Sequence, residues 1–187
     1  MGREKDAFGD RMKSYEQPYM QRTVPGVPMV IRVDGCHFHS FTRGMAKPFD
    51  PVLRKTMSDT MIDLCKDVSG AVFEYTQSDE ISILCRVAGI DSREYFEGRA
   101  QKIVSVKASK ATLHFNRNFA ENVRTANNGT DPELMEVYRS RLYGAEFDSR
   151  VMSIPEWTSI TTSCGDKPMP RQTPYPWCAS RCSLSRI

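Results

Sequence analysis

Two short stretches hold the residues best suited to chemistry: RVDG at 32–35 and YTQSDEIS at 75–82. The first closes an apolar, β-branched run on Asp34-Gly35. The second sets Asp79 beside Glu80 where one alternating run stops and another starts. A tight hairpin ordinarily uses Gly or Asn there, because its backbone needs positive φ. Concentrated negative charge instead calls for open solvent or for a cation. If Asp34 approaches Asp79 and Glu80, three carboxylates converge at one edge of a sheet. Like charges in a shared site repel and raise each other's pKa. A hard divalent cation relieves that repulsion. Mg²⁺ takes oxygen ligands, usually one or two carboxylates plus substrate phosphates. Two such ions clamp the attacking and leaving oxygens of phosphoryl transfer. Gly35 would let a substrate or a backbone carbonyl come close. Each stretch by itself is also a common solvated turn, and at this level that reading stays open.

The elements that must position these residues can be read from period. VPMVIRVDG (27–35) reads as a buried strand ending in Asp-Gly. FDPVLRKTMSDTMIDLCKDV (49–68) reads as a helix, with Asp50 as N-cap and Pro51 at its first position. Val52, Leu53, Met57, Met61, Leu64 and Cys65 give it one apolar face. AVFEYTQ (71–77) and ISILCRV (81–87) flank the Ser-Asp-Glu turn as a β-hairpin, with Phe73 and Tyr75 assigned to the core. Residues 95–119 read as a long helix, 131–144 as a short one capped by Asp131, and 145–155 as a last strand. Residues 10–22 read as a polar helix broken near Pro18. The order β-α-β-β-α-(α)-β predicts an α+β fold: a ferredoxin-like split βαβ, an antiparallel sheet with helices on one face.

Composition bounds the rest. At 187 residues, 40% hydrophobic and 26% charged, the chain suits one globular domain with its own core. A net charge of +3 is a weak pointer to an anionic partner. No apolar run reaches the ~20 residues of a membrane span, so no membrane partner is expected. The first residues have no secretory pattern, and Asp6 stands where a myristoylation signal wants Ser or Thr. Six cysteines without such a pattern read as reduced thiols in the cytoplasm, with an organelle left open. Cys178 and Cys182 find no matching pair for zinc. His37 and His39 lack a third ligand, so a loop over a nucleotide or a packing role is expected of them. His114 is expected to be structural.

Taken together, RVDGCHFHSFTRGMAKPFD (32–50) and YTQSDEIS (75–82) resemble the tRNA-His guanylyltransferase family, including its guanylyltransferase-like relatives. The shared pattern is R-x-D-G-x-x-F-x-x-F, a K-P-x-D segment and Q-S-D-E-x-S. GRAQKIVSVKASKATLHFN (98–116) and FDSRVMSIP (147–155) are similar to later segments of the family, so the likeness covers about residues 10–155. The resemblance implies a polymerase-palm catalytic domain over 1–155 that works in the 3′-to-5′ direction. Such enzymes activate a tRNA 5′ end with ATP or GTP and then add a nucleotide, typically G to tRNA-His. By motif, Asp34 and Asp79 would ligate two Mg²⁺ ions, the Gly35 carbonyl would help one of them, and Glu80 would support the site. Asp34, Gly35, Cys36, His37, Phe38, His39, Ser78 and Asp79 would border the nucleotide. Lys47, Arg99 and Lys102 would lie near triphosphates. The partners implied are tRNA-His or a 5′-truncated tRNA, nucleoside triphosphates and, in the intact family, a homotetramer. Templated tRNA 5′-end repair within the same family, a cyclase-like palm and an inactive RNA-binding fragment are the rival readings.

The likeness stops after Pro155. Residues 156–187 hold Cys164, Cys178 and Cys182 and four prolines, with no helical or strand period. The family expects a helix beginning Trp-Arg-Gln-x-Asp and reaching Asn-Ser-Ile. Codons allowed for CGDKPMPRQTPYPWC (164–178), read from the third base of the first codon, can spell Trp-Arg-Gln-Ala-Asp-Ala-Thr-Ala-Asn-Ser-Ile. The expectation is therefore an aberrant, disordered tail produced by a frameshift that replaces the family's C-terminal helical part. Weak activity and poor stability would follow from the missing packing partners. The encoding nucleotide sequence decides this: a shifted frame without that motif refutes it.

Overall fold

The computed structural model describes residues 7–86, 94–126 and 131–155. The expectation for 156–187 therefore lies outside the described residues. Strands β1 (Met29–Gly35), β2 (Ala71–Gln77), β3 (Glu80–Cys85) and β4 (Phe147–Ser153) form one sheet in the order β2-β3-β1-β4, with every neighbouring pair antiparallel. Helices α1 (Ala7–Glu16), α2 (Phe38–Phe41), α3 (Pro51–Lys66), α4 (Ala100–Ala126) and α5 (Pro132–Ser140) complete the described chain. This is the expected ferredoxin-like α+β fold. Among the described residues, no helix is long and apolar enough to cross a membrane.

The core lies between one face of the sheet and helices α3 and α4. Ile31 and Val33 of β1, Ile81 and Ile83 of β3 and Phe147 of β4 point into it. Leu64 from α3 and Ile103, Ala111, Phe115 and Phe119 from α4 meet them. The i, i+4 spacing of those α4 positions keeps a single stripe on the sheet. Phe38 from α2 stacks on Phe41 at 5.0 Å between centroids and meets Phe115 edge-on at 5.4 Å. Among the described residues Cys36, Cys65 and Cys85 are free thiols.

Asp50 caps α3 as the sequence indicated: its Oδ1 accepts from the Leu53 N–H at 2.9 Å. The long helix differs from expectation at both ends. Phe96, Glu97 and Gly98 all have positive φ, so a short 3₁₀ turn, Tyr95–Gly98, replaces the first helical residues. A Cβ on Gly98 would stand 2.4 Å from Thr23 Oγ1, so the turn admits only glycine. With no Gly or Pro beyond that point, α4 runs on to Ala126. His114 is structural, as expected. It lies 3.9 Å from Asp63 and 3.7 Å from Asp67, tying α4 to α3.

Lys107 is fully buried in this layer and donates to the Leu64 carbonyl at 3.2 Å, in the last turn of α3. Burial pulls its pKa down to about 8, and Asp67 opposes the shift. An amine whose folded pKa lies below its unfolded value costs stability at low pH and returns it as pH rises between the two. The fold should therefore gain roughly 1 kcal/mol between pH 8 and 9 from this group. Above that range Cys65 and Cys85, whose pKa values burial raises, act in the opposite sense. Thermal melts across pH 7.5–9 should show the rise in the native chain and its loss in Lys107→Met.

Candidate active site

The pleat divides each strand between the helix-covered face and an open face. Cross-strand register arranges the open face in ranks. Asp34 is paired with Glu80 on one side and Asp148 on the other, and Gln77 pairs with Glu80. This acidic rank lies at the end of β1, beside the β2–β3 turn. The next rank is Tyr75, Ser82, Arg32 and Arg150, and the third is Phe73, Leu84, Val30 and Met152; away from the acids this face is covered, since Ser82 is buried and Val30 and Leu84 form a second small apolar cluster with Ile154.

Ser78 and Asp79 form the two-residue turn between β2 and β3, and Ser78 has φ of 56°. Positive φ at the first turn position is the sign pattern of a type II′ hairpin. The turn holds Asp79 near Asp34 without a glycine. Burial raises the Asp34 pKa, Asp79 and Asp148 raise it further, and Arg150 opposes them. Arg150 Nη2 stands 3.8 Å from Asp34 Oδ2 and donates to Asp148 Oδ2 at 3.2 Å.

Glu80 does not join this group as the sequence suggested. Its Oε1 lies 3.2 Å from Arg32 Nε and accepts from the Ser82 hydroxyl at 3.3 Å. The Arg32 contact is an ion pair rather than an aligned hydrogen bond, since Nε makes none. Among the described residues no three His, Cys, Asp or Glu side chains converge as a metal cage. The three-carboxylate convergence is thus corrected to a pair, Asp34 and Asp79, with Asp148 neutralised by Arg150. Two carboxylates beside a backbone carbonyl remain a donor set that fits Mg²⁺, which completes its octahedron with water and phosphate oxygens.

Gly35 serves a packing need as well as close approach. A Cβ there would stand 2.1 Å from Phe38 Cδ2. The Phe38 ring belongs to the core, at 4% exposure, so its side chain does not border a nucleotide on the open face. His37 heads α2 in a left-handed conformation, and both His37 and His39 are exposed. The Cys36 thiol is held protonated by burial and then by the neighbouring acids Asp148, Glu146 and Asp34.

Lys47 is exposed on the segment between α2 and α3. Asp50 fixes that segment: its Oδ2 accepts from the Ala46 N–H at 3.0 Å and from the Tyr138 hydroxyl at 2.7 Å. Tyr138→Phe should lower stability by ~2 kcal/mol, the usual worth of a hydrogen bond to a charged group. Denaturant melts measure the loss, and an unchanged midpoint would refute the role of the bond.

Arg99 and Lys102 are not brought to the carboxylates. Thr23 N donates to Gly98 O, Ala100 N to Gln21 O, and Ile154 N to Pro28 O, so the start of α4 lies at the end of the sheet where β1 begins. Along β1 that is ~20 Å from Asp34, at about 3.3 Å per residue. There Arg99 Nε donates to Phe96 O at 3.4 Å, and Lys102 Nζ sits 4.9 Å from the Phe96 ring centroid. Phe73 and Tyr75, assigned to the core by alternation, stand on the open face, and Phe73 is 36% exposed. Arg32, Ser82, Asp148 and Arg150 were missed as site residues. The D-x-R alternation of FDSRV was the available signal for the last two, but only register places it beside Asp34.

An antiparallel sheet with helices on one face, and paired acids on the other at the end of its central strand and hairpin, defines a polymerase-type palm. The family description "tRNAHis guanylyltransferase" matches residues 9–155. The chain belongs to the tRNA(His) guanylyltransferase family. It is 31% identical over 158 residues to an uncharacterized protein of Acanthamoeba polyphaga mimivirus, covering 81% of this chain and 53% of that one. It is 34% identical over 106 residues to the probable tRNA(His) guanylyltransferase of Dictyostelium discoideum, covering 56% of this chain and 39% of that one. Among solved structures, a bacterial tRNA(His) guanylyltransferase (Thg1)-like protein in complex with GTP superposes with a TM-score of 0.69 at 36% identity, over 84% of this chain and 68% of that one. Such a protein in complex with ATP gives 0.68 at 36%, over 83% and 61%. The chain spans about half the length, or less, of the curated relatives it matches.

Proposed function

We propose that this chain is the palm of a tRNA 5′-end nucleotidyltransferase that adds a nucleotide, typically G to tRNA-His, in the 3′-to-5′ direction by two-metal phosphoryl transfer. The observation that carries the reading is the meeting of Asp34 and Asp79 across β1 and the hairpin, where the Asp79 carboxylate adds to burial in disfavouring the charge on Asp34. The solved GTP and ATP complexes of the similar bacterial protein support nucleoside triphosphates as substrates. Asp34, Asp79 and the Gly35 carbonyl would hold Mg²⁺, which when bound offsets charge on the attacking and leaving oxygens. Glu80, braced by Arg32 and Ser82, supports the turn that carries Asp79. Lys47, on the segment tied by Asp50, supplies positive charge for a phosphate. Arg99 and Lys102 would bind phosphate at the other end of the sheet, apart from the metal acids. That separation suits a reaction with more than one triphosphate.

The test incubates the chain with Mg²⁺, ATP, GTP and 5′-monophosphorylated tRNA and follows labelled nucleotide at the 5′ end. Mg²⁺-dependent addition is expected, with loss in Asp79→Ala at unchanged circular dichroism. Equal rates for native and variant chains would overturn the metal role. A cyclic nucleotide product would favour the cyclase-like palm.

A further inference from the structure

Helix α1 presents its apolar side to solvent. None of its ten residues is buried. Asp10, Lys13 and Ser14, with Gln17 just beyond, line a cleft of about 510 Å³ together with Met20 and Arg22. Arg22 is fixed to the body of the protein, because its Nη1 donates to the Glu97 carbonyl at 2.7 Å. The polar side of α1 is therefore the one turned inward. On the other side Phe8 is 64% exposed, Met12 44% and Tyr15 61%, and Tyr19, in the 3₁₀ turn Gln17–Tyr19 that follows, is 73% exposed. Single exposed apolar residues are ordinary. These four are spaced 4, 3 and 4 apart, which sets them in one stripe along a helix.

What covers the stripe follows from its flanks. A 4-3-4 spacing is the seam of a two-stranded coiled coil. In that register Arg11 borders the seam on one side and Glu16 on the other, five residues on. Two parallel copies of such a helix bring these two positions face to face, so Arg11 of each copy meets Glu16 of the other. Both side chains are open to this: among the described residues Arg11 has only the Phe8 ring, at 5.6 Å, and Glu16 makes no ion pair. A membrane surface or a nucleic acid would want an excess of Lys and Arg. Helix α1 instead balances Asp10 and Glu16 against Arg11 and Lys13.

We propose that α1 is a pairing helix through which two copies of this chain associate in parallel, stripe against stripe, with Arg11 of each copy facing Glu16 of the other. The inference does not depend on the nucleotide chemistry. An aromatic side chain buries about 150–250 Å² when fully covered, so the stripe offers on the order of 500 Å² per copy. A standard interface takes about 800 Å² per partner. The pairing is therefore weak and reversible, with its midpoint in the micromolar range of chain concentration.

Sedimentation velocity of the full chain across the micromolar range tests this. The mass should rise from the 21.3 kDa monomer toward twice that value. Phe8→Glu and Tyr15→Glu should each weaken association at least about tenfold, the usual effect of losing an interface anchor. Their circular dichroism and melting temperature should stay native, because no α1 residue is buried. The charge flank gives a second measurement that fixes the orientation. Arg11→Glu alone and Glu16→Arg alone should each associate less than the native chain, since like charges then face each other. An equimolar mixture of these two variants should pair again, because each mixed pair restores both opposite-charge contacts. A chain that stays monomeric throughout the range would overturn the proposal and leave the stripe to another partner. An assembly that forms equally well in Phe8→Glu and Tyr15→Glu would overturn it too, by showing that copies meet on another surface. Variants whose mixture associates no better than either alone would overturn the parallel arrangement.

Discussion

Asp34→Asn should abolish nucleotidyl transfer while making the protein more heat-resistant in EDTA. The Asp34 pKa is raised above its ordinary value, by burial first and then by Asp79 and Asp148. A carboxyl with a raised folded pKa contributes its stability below the unfolded value and loses it as pH rises through the folded one. At neutral pH the ionised group therefore opposes folding. Asparagine keeps the shape and removes the charge. In EDTA the variant should melt above the native chain. Added Mg²⁺ should raise the melting temperature of the native chain and leave the variant unmoved. The transfer rate should fall at least ~1000-fold, because a divalent cation supplies several kcal/mol of transition-state charge stabilisation. An Asp34→Asn chain that still transfers, or that gains as much from Mg²⁺ as the native protein, would remove Asp34 from the metal site.

Gly35→Ala should be the most destabilising single methyl in the site. Its Cβ would overlap the Phe38 ring at 2.1 Å. That ring has little room to move, because it also meets Phe41 at 5.0 Å, Phe115 at 5.4 Å and Phe147 at 5.0 Å between centroids. Overpacking a filled core costs about 1–3 kcal/mol and sometimes more. At about 2–4 °C per kcal/mol for a chain of this size, the melting temperature should drop by roughly 10 °C. The double variant Gly35→Ala/Phe38→Leu should recover part of that loss. A Gly35→Ala chain that melts with the native one would show that Phe38 does not pack beneath Gly35. The same contact joins stability to function. The backbone at Gly35 that would face a metal on one side rests on the aromatic core on the other.

Much of the architecture was legible because local patterns and the final fold agree. Strand β2 has the expected bounds, since alternation ends at a turn that its residues specify. The Asp50-Pro51 pair marks the start of α3 by satisfying the first free N–H groups of a helix. Residues 95–98 were misread because apolar spacing alone does not reveal a backbone turned to positive φ at three successive residues. Phe38 was assigned to the nucleotide because it sits inside a motif. In the structure its ring closes the core, and the motif's neighbours His37 and His39 are the exposed ones.

By itself the sequence determined the family, the order of elements and the two places, Asp34 and Asp79, where strands end in acid. These depend on residue type and on separations of a few positions. Tertiary structure alone decided the company those acids keep. A period of two says that Phe73 and Tyr75 share a face, but not which face. Register with Leu84 and Ser82 turns them to the open side, because Ile81 and Ile83 are already committed to the helices. Register likewise sets Asp148 and Arg150 beside Asp34 from more than a hundred residues away in the chain, and it ties Glu80 to Arg32. Strand direction sends Arg99 and Lys102 to the far end of the sheet, because α4 starts where β3 leaves it. Charge pairing at a distance in sequence is a property of the assembled sheet, and no local spacing encodes it.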